Sequence, residues 1–193
     1  MSLLVNFTLY QIGWFAIVLG AANHRPWYAM TFALALVAVH LVLVRGVSRH
    51  CGLVLASGAI GFTLDSLQLW LGVFQFPSGQ VFRQFAPPWD AVLWMQFATL
   101  LPFCLRWVSH RYTLCCLLGL AGGPMAFYAG EQFGAVHFPP PRVVHFAILA
   151  SVWALAFPLL VWLSDKLVIE PGFGSHYLFA ASEHNTHGSR GQS

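Results

Sequence analysis

Hydrophobic positions fall along this chain in six long runs, at about residues 3–22, 26–45, 51–73, 89–106, 112–133 and 143–164. Each is close to the ~20 residues that a helix needs to cross the hydrocarbon of a bilayer. The polar breaks between them are short, as at Asn23-His24-Arg25-Pro26 and Gly46-Val47-Ser48-Arg49-His50, and leave room only for turns between antiparallel helices. The pattern predicts an all-α fold: a polytopic membrane protein in which residues 1–166 form one compact bundle of six transmembrane helices. After Lys166 the apolar pattern stops, and residues 167–193 read as a cytoplasmic polar tail, disordered in part.

Composition narrows the picture. Of 193 residues 58% are hydrophobic and 8% charged, where soluble domains carry about a quarter charged residues. No basic leader precedes the first run and no small-residue cleavage pattern follows it, so it is expected to stay as the first helix. Arg45, Arg49, Arg106, Arg111, Lys166 and Arg190 collect on one side of the predicted bundle, against Arg25, Arg83 and Arg142 on the other. The positive-inside rule then expects both termini in the cytoplasm. Scattered charges and a net +3 argue against nucleic acid as a partner. Cys51, Cys104, Cys115 and Cys116 fall near cytoplasmic helix ends, where thiols stay reduced, so no disulfide is expected.

Against this apolar background the polar residues stand out. Asp65 is the one ionisable residue inside the third run, and a carboxylate there is costly unless it faces the bundle interior for a purpose. At ~1.5 Å per residue, Asp65, Gln96 and Ser151 all lie roughly 10–12 Å below the outer surface. Gln11 and Gln68 border the same layer. Gly61, Asp65, Gln68 and Gly72 share a helical face by their spacing. Nearer the outer surface come Tyr128, Glu131, His145, Arg83 and Arg142. The expected pocket is therefore Gln11, Asp65, Gln68, Gln96, Tyr128, Ser151, Arg83 and Arg142, with Asp65, Glu131 and His145 as candidate catalytic groups. Two outer loops, 74–88 and 134–142, would lie over its mouth.

Other features point to packing. Gly122, Ala126 and Gly130 recur every four residues, a face suited to close helix approach, to a partner membrane protein or to a second copy. His40, Cys104, Cys115 and Cys116 share one inner layer without any metal-ligand spacing, and the tail's His176, His184 and His187 are read as solvated, so no metal site is assigned. Hydrolase, metalloprotease, phosphate-loop and dinucleotide motifs are missing, and no cofactor is expected.

Several short motifs carry a resemblance. Asn6-Phe7 with Gln11-Ile12-Gly13-Trp14-Phe15, His40, Asp65-Ser66-Leu67, Pro88-Trp89 with Leu93-Trp94-Met95-Gln96-Phe97-Ala98, Leu105-Arg106-Trp107, and Gly122-Gly123-Pro124 with Tyr128-Ala129-Gly130 resemble a family of small bacterial inner-membrane proteins classified only as a domain of unknown function. The similarity covers about residues 3–165. It implies a bacterial inner membrane and a gene neighbourhood containing fatty-acid-modifying enzymes, and it transfers no catalytic residue. The resulting expectation is a role tied to envelope lipid, acting through an outward-opening polar pocket around Asp65. A small-molecule binding or transport subunit and an accessory assembly subunit are the alternatives.

Overall fold

The computed structural model describes residues 1–169; the tail's three histidines and nearly all of the predicted tail lie outside the described residues. Six α-helices follow one another: α1 (Leu3–Ala22), α2 (Pro26–Leu43), α3 (Val47–Trp70), α4 (Pro88–Leu100), α5 (Tyr112–Phe133) and α6 (Arg142–Ser164), the last continuing into a π-helical turn at Asp165–Ile169. Local chemistry sets the ends. Ser2 Oγ accepts the Val5 N–H at 3.3 Å and caps α1. Pro26 and Pro88 open α2 and α4, where a missing N–H goes unnoticed. Gly134, at φ 91, closes α5 in the left-handed conformation that glycine tolerates.

Two spans depart from the hydrophobic pattern. α3 starts and ends earlier than residues 51–73, because Gly46 (φ 78) turns the chain into the helix at Val47 and Gly72 (φ 75) turns it out after Trp70. The fourth run, 89–106, is not one helix. α4 has 13 residues, about 20 Å of rise, too little for a hydrocarbon core of about 30 Å. Pro102 supplies no N–H to extend it, and the chain turns through 101–105 into a 3₁₀ turn at Arg106–Val108. The expected all-α bundle of six helices is present, with α4 shorter than the run that predicted it and residues 101–111 completing the chain's return from α3 to α5. Among the described residues, α1, α2, α3, α5 and α6 are long and apolar enough to cross a membrane, which makes this a multi-pass membrane protein with a short helix inside it.

That short helix is central. Consecutive helices pair as hairpins, and α4 packs on α1 and α2 as well as on α3, whereas α5 rests on α6 and barely touches α1. Eight of the 13 residues of α4 are buried. At the end of the bundle that holds residues 71–87 and 134–141, the loop end, aromatic rings from both loops and the helices interlock; Phe138 stacks on Phe146 at 4.3 Å and Phe74 meets Phe127 at 5.2 Å. Gln75 and His137 exchange backbone hydrogen bonds of 2.8 Å each, tying the two loops together. Ser78 Oγ donates to Ala21 O at 2.6 Å and anchors the longer loop to the end of α1.

The α5–α6 contact depends on two glycines. A Cβ on Gly119 would stand 2.3 Å from the Trp153 carbonyl oxygen and one on Gly123 would stand 2.1 Å from Trp153 Cγ, while a Cβ on Gly122 would meet nothing within 4 Å. Gly119→Ala is therefore expected to lower stability by about 1–3 kcal/mol, the usual cost of overpacking, and Gly122→Ala to leave it unchanged or slightly raised. Thermal unfolding of the two purified variants in detergent, followed by tryptophan emission, checks this; equal shifts would contradict the packing.

Candidate functional site

The site begins with helical spacing. Asp65 and Gln68 are three residues apart on α3, and Asp90 and Trp94 are four apart on α4, so each helix presents two polar groups on one face. Gly61 lets the helices close. A Cβ there would lie 1.9 Å from Trp94 Cγ, so the indole rests directly on the glycine. From that position Trp94 Nε1 donates to Asp65 Oδ2 at 2.7 Å, and Gln68 Nε2 donates to Asp65 Oδ1 at 2.9 Å. The Asp65 and Asp90 carboxyl groups lie within hydrogen-bonding reach of each other, and both are buried, at 0% and 2% exposure.

Two bare carboxylates have only acceptors and repel, so a bond between them requires a hydrogen. The donors show where it sits. Both Asp65 oxygens already accept N–H groups, the arrangement of a carboxylate, which leaves Asp90 as the partner carrying the hydrogen. Asp90 stands in the first turn of α4, where the helix dipole favours negative charge in its surroundings. Among the described residues no Lys, Arg or His forms an ion pair with either carboxyl group.

Beside the pair lies a partly open cavity of about 70 Å³, whose wall includes Tyr10, Trp14 and Val18 of α1, Trp89, Asp90, Leu93, Trp94 and Phe97 of α4, Ala126, Phe127 and Gly130 of α5, and Trp153 of α6. Trp153 stacks on Trp94 at 4.4 Å and 14°, extending the aromatic wall behind the carboxyl pair. Two buried polar atoms of lining residues have no hydrogen-bond partner among the described residues: Asp90 Oδ2 and Trp153 Nε1. α1 and α5, both part of the wall, touch only slightly and leave a seam between them.

The residues expected from the sequence separate into groups. Asp65 and Gln68 are together in the site. Gln96 is buried on a different side of α4; its amide sits against Gly13, and Nε2 approaches Ala33 O at 3.5 Å. There it joins a second polar cluster, in which Asn6 Nδ2 meets His40 Nδ1 at 3.5 Å and donates to Thr99 O at 3.0 Å, and the His40 ring lies 5.7 Å from that of His50. Gln11 is half-buried on α1 and outside the cavity wall. Ser151 is exposed, its hydroxyl donating to Ala147 O at 2.9 Å. The single polar layer of Asp65, Gln96, Ser151 and Gln11 is thus corrected: equal depth does not put side chains on facing sides of their helices.

The groups near the loop end serve the loops. Arg142 and Glu131 form an ion pair, Glu131 Oε1 also accepts the Phe138 N–H at 3.1 Å, and His145 Nδ1 bonds to Pro139 O at 2.9 Å. These contacts staple the Pro139-Pro140-Pro141 turn between α5 and α6 and account for Glu131, Arg142 and His145 without a reaction. Tyr128 is exposed, with its ring edge toward Phe146, and Arg83 is exposed on the longer loop. Ala126 and Gly130 line the cavity, whereas Gly122 is exposed, so the three do not form one outward face. Cys104 and Cys115 donate to backbone oxygens of Leu3 and Val108, and no group of three His, Cys, Asp or Glu among the described residues is placed to hold a metal.

With this geometry in view, comparison with known families is informative. Residues 3–159 match a family described only as a protein of unknown function, DUF2878. The chain belongs to that family. No curated protein and no solved structure matches it. For this DUF2878 protein the functional reading therefore rests on the site itself, and its second carboxyl group, Asp90, is the residue that the sequence reading passes over. Two residues beyond the Pro87-Pro88 pair, Asp90 resembles an acid at a solvated helix start.

The donor pattern makes the two acids unequal. Removing Asp65 leaves the Trp94 N–H, the Gln68 N–H and the Asp90 hydroxyl without their acceptor, whereas removing Asp90 takes one donor from an Asp65 that keeps two. At about 1–3 kcal/mol for each buried group left unpaired, Asp90→Ala is expected to cost about that much and Asp65→Ala at least about twice as much. Denaturant unfolding in mixed micelles measures the difference, and equal or reversed costs would refute the assignment of the hydrogen to Asp90.

Proposed function

We propose that this protein binds a small, mainly apolar molecule supplied by the bilayer, a lipid-derived compound being the natural source, in the aromatic cavity against the Asp65–Asp90 pair. One observation carries the reading: on an otherwise largely apolar, aromatic-rich wall, two lining residues each keep a buried polar atom without a partner among the described residues, Asp90 Oδ2 and Trp153 Nε1. A buried polar atom left unpaired costs about 1–3 kcal/mol, and a ligand that engages both removes that cost. Mostly apolar walls with a few convergent polar groups are the usual form of a small-molecule site. The weak α1–α5 seam offers a way in from the lipid side. The setting in this reading is a bacterial inner membrane with both termini in the cytoplasm, an orientation that rests on the six-to-three division of Lys and Arg.

The hydrogen shared by the pair favours a second reading, in which Asp90 acts as a general acid on the bound molecule. Mass spectrometry of protein purified in mild detergent tests both. The wild type is expected to carry a small molecule in near-stoichiometric amount, and Ala126→Phe, which fills the cavity from α5, is expected to lose it while unfolding at a similar temperature. Equal recovery from both proteins would overturn the cavity as the site. Recovery of a chemically altered compound whose formation stops in Asp90→Asn would make the protein an enzyme.

A further inference from the structure

We infer that the molecule held in this cavity is a lipophilic cation, a tertiary or quaternary ammonium; the inference rests on the binding reading above and specifies its chemistry. Charge is the first argument. Two carboxyl groups are buried together, Asp90 in the wall and Asp65 behind it, and Asp65 accepts two N–H groups, a setting that suits an ionised acid. No cationic side chain among the described residues answers it. A buried charge without a counter-charge is strongly unfavourable, and a cation in the cavity would meet it across Asp90.

The wall is the second argument. Tyr10, Trp14, Trp89, Trp94, Phe97 and Trp153 surround the space, and aromatic walls attract organic cations through their ring quadrupoles, most strongly where water is excluded. An anionic ligand such as a fatty-acid carboxylate would be repelled by the pair. The third argument is the hydrogen-bond inventory. Asp90 Oδ2 is a buried acceptor without a partner among the described residues, and the Tyr10 hydroxyl adds a second acceptor to the lining. A primary ammonium brings three N–H donors, more than these two groups meet with one bond each, whereas a tertiary ammonium brings one and a quaternary ammonium none.

Benzyltrimethylammonium and neopentylbenzene have the same shape and differ in charge, which makes them a direct probe pair. Binding is followed by the tryptophan emission of the full chain in dodecyl maltoside micelles, with protein-free micelles subtracted. The cation is expected to bind at least about tenfold more tightly than its neutral isostere. Trp14→Leu should weaken the cation several-fold and leave the isostere unchanged. The Asp65→Asn/Asp90→Asn double variant, which keeps donors and acceptors at both positions, should abolish the preference.

Equal binding of the two probes would overturn the cationic inference and leave the binding reading standing; failure of both probes to bind would overturn both. The source is resolved by repeating the titration with added phosphatidylcholine. Competition identifies a lipid head group as the ammonium, and unchanged binding identifies a free amine, each outcome supporting the cationic site.

Discussion

A carboxyl pair inside a membrane bundle can persist only if a hydrogen lies between its members and if donors fix the remaining charge. Much of the local architecture follows from meeting both conditions. Asp65 needs two N–H donors, and one of them, Trp94, reaches it only because Gly61 leaves room for the indole. The other face of Trp94 is covered by Trp153, and Trp153 reaches that position because Gly119 and Gly123 let α6 close on α5. One hydrogen-bonded pair thus determines small residues on α3 and α5 and large ones on α4 and α6.

The brevity of α4 belongs to the same design. A helix that spans the hydrocarbon presents most of its surface to lipid, where polar side chains are excluded. α4 instead touches α1, α2 and α3, and eight of its 13 residues are buried. It can therefore carry Asp90 and Trp94 on one face and Gln96 and Thr99 elsewhere, each turned toward protein. Pro88 and Pro102 bracket it, one pre-shaped for a helix start and the other without the N–H needed to continue.

The sequence revealed the helical class, the membrane setting and the inward placement of Asp65, because all three follow from hydropathy and from the cost of charge in lipid. It revealed the small-residue face of α5 only in part: Gly119 and Gly123 make the contact, and the stripe through Gly122 was chosen from spacing that fits either set equally. Three further features were not legible. The end of α3 depends on Gly72 adopting a positive φ, which hydropathy does not report. The azimuth of Gln96 and Ser151 depends on how whole helices rotate against their neighbours, which depth counting ignores. Asp90 was hidden because an acid after Pro87-Pro88 looks the same in sequence whether the helix start is wet or buried. The Glu131–Arg142 contact shows the converse, since charges that resembled a binding mouth are consumed in holding a loop.

Two buried polar clusters flank α4, and unpaired atoms alone do not tell a ligand site from internal glue. The cluster at Asn6, His40, Gln96 and Thr99 has as many, with Asn6 Oδ1, His40 Nε2 and Gln96 Oε1 lacking partners among the described residues against Gln68 Oε1, Asp90 Oδ2 and Trp153 Nε1 at the other. Space separates the two cases. The hollow beside His40 and Gln96 measures about 10 Å³, and a single water molecule needs about 10–15 Å³ on this scale. Its amides and imidazole can be bridged by one water and hold α1, α2 and α4 in register. The cavity at Asp90 is about 70 Å³, too large for one bridging water, and its walls are aromatic, so waters there would face surfaces that offer them few partners. An acid pair beside such a space is served better by an organic molecule that fits the rings than by solvent, which is why the larger space, and not the number of unpaired atoms, marks the site.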